Sequence, residues 1–117
     1  MAACKAVGVA WIVSDDIVMA SAEVAGDRQA RRRGLLGRDH LDGALVLERC
    51  RWIHTLGMRF PLDVAYLDAN GTVIKTIRMN RNRVGVPVWH ARTIIEAEAG
   101  AFARWGMHVG LTIELRS

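Results

Sequence analysis

The dipeptide Asn70-Gly71, set between two stretches that alternate in polarity, constrains the fold of this chain more than any other local feature. Asn-Gly supplies the positive φ angles that tight hairpins demand, so the flanking stretches read as paired strands. Residues 62–68 alternate Leu62, Val64 and Tyr66 against Asp63, Ala65 and Leu67. The returning stretch 72–79 sets Val73, Ile77 and Met79 against Ile74, Thr76 and Arg78. A period of two cannot keep one face of a helix apolar, so the middle of the chain is committed to antiparallel sheet.

The remaining punctuation extends that sheet. Apolar runs at 9–13 and 17–24 flank Asp15-Asp16, a hairpin turn. Further strands are expected at 43–47, at 92–98 around Ile94 and Ile95, and at 111–115, while the polar stretch Asn80 to Val86 reads as an exposed loop. One short helix is expected near 27–37, with Asp27 as N-cap and Gly37 as left-handed terminator. Its Arg28, Arg31 and Arg32 share a face with Leu35, opposite the small residues Ala30, Gly34 and Gly37. A helical turn fits 101–105, between Gly100 and Gly106. The expected fold is mainly β: a small antiparallel β-sandwich or barrel-like domain with these two minor helical pieces. No repeat or linker divides residues 1–117, which read as a single domain.

Composition excludes several classes of protein. At 117 residues, 51% of them hydrophobic, the chain can bury roughly two-thirds of its unfolded surface and needs no metal or disulfide staple. The apolar run Ala6 to Val13 ends at Ser14-Asp15-Asp16, far short of a membrane span, and no small-residue cleavage site follows Lys5. The chain is therefore read as cytoplasmic, with no membrane partner and with Cys4 and Cys50 as reduced thiols. His40, His54, His90 and His108 show no metal-ligand spacing, so neither metal nor cofactor is expected. Net charge is +4, carried mostly by arginine. Because no stacking aromatics interleave with the basic groups at 28–38 and 78–83, nucleic acid is not an expected partner. Of Trp11, Trp52, Trp89 and Trp105, most are expected in the core, although Trp52 and Trp89 flank loops.

Candidate chemistry concentrates in the run from Arg51 to Asp63, where Gly57 and Pro61 force the backbone to turn and restart in extended form. Polar groups at such a break can converge on a ligand. His54, Thr55, Met58, Arg59 and Asp63 form the candidate ligand-binding set, in which Asp63 accepts a hydrogen bond from His54 or pairs with Arg59. The alternative is architectural: an Arg59–Asp63 salt bridge pins the turn, and His54 and Thr55 satisfy loop backbone groups. Cys50 and His54 stand roughly 13 Å apart if extended, too far for proton transfer. Glu96 and Glu98 fall on one side of a strand, but no aromatic groove accompanies them.

Several of these stretches together resemble a known family. Gly34-Leu-Leu-Gly-Arg38, Cys50 with Ile53-His-Thr55, Gly57-Met-Arg-Phe-Pro-Leu-Asp63, Tyr66-Leu-Asp68, Glu96 and Gly100 follow the order of the bacterial and archaeal domain of unknown function 192 family, over roughly residues 9–115. The resemblance implies a compact β-rich fold with minor helices. It implies no activity, substrate or cofactor. The chain departs from the family pattern at His54-Thr55, where relatives often carry Asn-Thr, and at Leu111, where an aspartate commonly follows the glycine. The expected role is binding of a small polar or anionic ligand, with Arg59 holding an anionic group. Two alternatives stand beside it: a small enzyme using a His54/Asp63 pair, and a protein-interaction module using the arginine face at Arg28, Arg31 and Arg32.

Overall fold

The computed structural model describes residues 7–25 and 39–117. The helix expected over 27–37, its arginine face and Cys4 lie outside the described residues. Strands β1 (Val7–Ser14) and β2 (Ile17–Ala25) form the opening hairpin. Asp15 and Asp16 both have positive φ, 51° and 61°, the geometry that lets a two-residue turn follow the twist of its strands. Strands β3 (Ala44–Glu48), β4 (Leu62–Leu67), β5 (Val73–Met79) and β6 (Thr93–Glu98) follow, then helix α1 (Ala101–Trp105) and β7 (Glu114–Arg116). They build one seven-stranded sheet in the order β5-β4-β6-β3-β2-β1-β7.

Three features differ from the sequence expectation. First, the sheet is mixed: β2 and β3 run parallel, with Ala22 opposite Ala44 and Ala25 opposite Leu47. A parallel pair cannot be joined by a tight turn, and a long connection separates them in sequence. Second, the last strand is shorter and later than 111–115, because the chain before it is bonded elsewhere. Val73 N donates to Leu111 O and Ile113 N to Gly71 O, both at 2.8 Å, and Thr72 bridges Thr112. Residues 110–116 thus touch the start of β5 and the free edge of β1, drawing the two edges of the sheet together into a barrel-like closure.

Third, the Asn70-Gly71 hairpin is present, but with a different turn. Only Gly71 has positive φ, 81°, and Gly71 N donates to Asp68 O at 3.0 Å, so Ala69-Asn70-Gly71 is a three-residue loop. Asp68 Oδ1 fastens it by accepting from Asn70 N at 2.9 Å and Thr72 N at 3.0 Å. A Cβ at position 71 would lie 2.6 Å from Ile113 O, so sheet closure itself excludes a side chain there. A register shift at Tyr66/Leu67 sets Val73 against Leu67 and Lys75 against Tyr66. Val73 therefore turns to the inner core alone, while Ile74 joins Ile77 and Met79 at the outer one, which breaks the alternation that grouped Val73 with Ile77 and Met79.

Each face of the central strands carries a buried cluster. The inner cluster uses small residues, Ala22, Ala44, Ala65 and Ala97, around Ile95 and Phe102 of α1, as a closed and narrow interior requires. The outer cluster is larger in side chain: Leu45, Leu47, Val64 and Tyr66 lie under Ile53, Met58 and Phe60 of the segment between β3 and β4. The four tryptophans are not core residues; Trp11, Trp52 and Trp89 are exposed and Trp105 is half-buried.

Candidate functional site

The segment 51–60 alternates buried and exposed side chains although it forms no named strand. Ile53, Thr55, Met58 and Phe60 face the outer cluster, whereas Trp52, His54, Leu56 and Arg59 face solvent. Thr55, fully buried, is its anchor. Its Oγ1 donates to Asn80 O at 2.6 Å and accepts from Arg83 N at 2.8 Å, while its backbone N donates to Arg83 O at 2.8 Å. The stretch 80–85 is thus no free loop: it is laced to 53–57 through a His54–Val84 bridge, Gly85 N to Ile53 O at 3.1 Å, and Gly57 N to Asn82 Oδ1 at 2.9 Å.

The structure separates the candidate residues named from sequence. His54 is exposed, its Nδ1 accepting from Leu56 N at 3.2 Å and its ring 5.6 Å from that of Trp52. Arg59 pairs with Asp39 at 2.9 Å, both side chains exposed. Asp63 bonds to neither of its expected partners. Strand alternation turns it to the inner face, where Oδ1 accepts from Arg78 Nε at 3.0 Å and Oδ2 accepts from Gly100 N at 2.8 Å and Phe102 N at 3.2 Å. It holds the start of α1 against the sheet. Thr55 and Met58 are packed beneath His54 and Arg59, so these four belong to one segment and Asp63 to the other side of β4.

A different pair of polar groups is buried on the outer face. Glu96 of β6 lies in register between Leu45 and Val64, is 4% exposed, and receives no hydrogen bond from the described residues. Burial pushes its carboxyl up to about 7, because an ion deprived of water is disfavoured against its neutral acid. Tyr66, fully buried on the same face, has a hydroxyl with no hydrogen-bond partner among the described residues. Burial, and then the nearby Cys50 and Glu96, raise the pKa of its phenol. Cys50 is half-buried, and its thiol donates to Trp52 O at 3.2 Å. The Gly85 backbone closes over this point: a Cβ there would meet Ile53 O at 2.9 Å and Tyr66 Oη at 3.7 Å.

Sequence reasoning paired Glu96 with Glu98, but Glu98 is occupied by Leu41 N at 3.1 Å. Alternation alone groups Tyr66 with the apolar residues Leu62 and Val64 of its strand. The available signal was a carboxylate inside the apolar run Ile94-Ile95-Glu96-Ala97. Among the described residues no three His, Cys, Asp or Glu side chains gather as a metal site, and no helix is long and apolar enough to cross a membrane.

A closed, mixed sheet with one short helix and a polar pair beneath a laced segment defines a β-rich, barrel-like class of domain. Within that class the chain belongs to the domain of unknown function 192 family, whose model, described as uncharacterized ACR, matches residues 10–115. Two crystal structures share the fold, each at 16% identity and a TM-score of 0.77. One is a protein of unknown function from Novosphingobium aromaticivorans DSM 12444, aligned over 92% of this chain and 84% of that one. The other is a putative transcription regulator from Sinorhizobium meliloti 1021, aligned over 94% and 95%. No curated protein matches the sequence.

Proposed function

We propose that this protein is a binding domain for a small polar ligand, taken up on the outer face of the sheet beneath the segment 51–60. The observation that carries this reading is the buried Tyr66 hydroxyl, which has no hydrogen-bond partner among the described residues, on the same face as the buried Glu96 carboxyl. A buried hydroxyl that makes no hydrogen bond costs about 1–3 kcal/mol, and one set near a buried acid is expected where a ligand or water supplies the missing bond. Near pH 7 the Glu96 carboxyl can donate or accept, so the ligand head facing it is uncharged or positively charged, with both a donor and an acceptor.

The exposed members of the candidate set make the outer contacts. Arg59 takes an anionic group at the far end of the ligand, which its exposed pairing with Asp39 opposes only weakly, and His54 hydrogen-bonds beside it. Thr55 and Met58 hold the segment in place from beneath, and Asp63 holds the scaffold. The test is a thermal-shift panel of small polar metabolites on wild type, Tyr66→Phe and Glu96→Gln. A compound that raises the melting temperature of wild type and of neither variant supports the site; stabilisation that persists in both variants overturns it.

A further inference from the structure

Two fastened turns face each other at one end of the sheet. The first is the Asp68-to-Thr72 loop described above. The second is the turn 88–91, closed by Ala91 N donating to Val88 O at 3.0 Å; Arg92 N then donates to Leu67 O at 2.7 Å and Arg92 O accepts from Cys50 N at 3.1 Å. Between them lies a cleft of about 590 Å³ lined by Asp68, Asn70, Ile74, Trp89, His90 and Arg92. Neither Tyr66 nor Glu96 lines it, so it is independent of the site proposed above.

Trp89 is 72% exposed and has no ring partner among the described residues, although an indole is among the side chains with most to gain from burial. Arg92 and His90 are exposed beside it, and neither side chain has a hydrogen bond or ion pair with a described residue. Asp68 has one carboxylate oxygen engaged by the turn amides and a second oxygen free to accept. An apolar flat surface, an unpaired guanidinium and an acceptor thus converge on one concavity, held by backbone bonds that need no rearrangement.

We propose that this cleft binds a small ring compound bearing a phosphate, with the ring stacked on Trp89, the phosphate held by Arg92 and His90, and a ring hydroxyl or amino group donating to Asp68. Stacking and charge must act together here, since a single exposed cation holds phosphate weakly in water. The test is titration of tryptophan fluorescence with adenosine monophosphate and glucose 6-phosphate as ring phosphates, and with adenosine and inorganic phosphate as the separated halves. Saturable quenching by at least one ring phosphate with a Kd below about 1 mM, at least tenfold weaker for either half, is the expected result. Preference between the two ring phosphates identifies a base or a sugar as the ring. Trp89→Ala and Arg92→Ala should each weaken binding at least tenfold with unchanged circular dichroism, Trp89→Phe should retain it, and Glu96→Gln should leave it unaltered. No saturation by either ring phosphate, wild-type binding by Trp89→Ala or Arg92→Ala, or affinity that rises with the length of a single-stranded oligonucleotide would overturn the proposal.

Discussion

Asp63 and Arg78 face each other across the β4–β5 pair, with Oδ1 and Nε 3.0 Å apart, and the second oxygen of the same carboxylate holds two backbone N–H groups at the start of α1. One side chain therefore ties two strands to the helix that plugs the inner cluster. Arg78 is largely exposed and loses little when unpaired, but the amides of Gly100 and Phe102 both lose the carboxylate oxygen they share. Asp63→Ala is expected to destabilise the fold by about 3 kcal/mol, at about 1–3 kcal/mol per orphaned group. Asp63→Asn, which keeps an acceptor, should cost about half as much. Urea midpoints of the two variants check this, and a wild-type midpoint for Asp63→Ala would refute it.

Thr55 acts through its hydroxyl. Thr55→Val keeps the shape and leaves Arg83 N and Asn80 O without the bonds they make to Oγ1. The expected loss is about 2 kcal/mol, with faster amide hydrogen exchange confined to 53–58 and 80–85. Uniform exchange across the sheet would contradict the local role.

Glu96 makes stability depend on pH. Its carboxyl titrates near 4.5 when free and about 7 when folded, so the folded state holds the proton more tightly. The contribution is fully present below pH 4.5, is lost as pH rises from 4.5 through 7, and changes no further above that. At about 1.4 kcal/mol per pH unit the loss comes to roughly 3–4 kcal/mol. Glu96→Gln, which mimics the neutral acid, should therefore gain on wild type between pH 5 and pH 8 in urea denaturation. Parallel pH profiles for the two proteins would show that Glu96 titrates normally.

Gly43 marks the start of the parallel pairing. It has φ of +78°, and a Cβ there would stand 2.6 Å from Ser21 O. Gly43→Ala is expected to cost about 2–4 kcal/mol, combining left-handed backbone strain with overpacking. Gly8→Ala is the control, because nothing lies within 4 Å of its added methyl; its melting temperature should match or slightly exceed wild type.

Local patterning determined where most strands lie. Strands β1 to β6 fall within about two residues of the stretches read from alternation and turn residues, because side-chain period and turn chemistry are properties of neighbours in sequence. The five-residue helix between Gly100 and Gly106 was legible for the same reason. Pairing was not. That β2 lies parallel to β3, that residues 110–113 meet β5, and that Ile74 rather than Val73 shares a face with Ile77 and Met79 depend on contacts between distant segments. The candidate site divides along the same line. The sequence marked the Arg51–Asp63 run as unusual and placed His54, Thr55, Met58 and Arg59 on one segment. Only the tertiary structure turned Asp63 away to Arg78 and α1, and only strand register brought Tyr66 and Glu96 to one buried face. A residue's own sequence sets which side of its strand it takes, but what waits on that side is decided by which strand lies next to it.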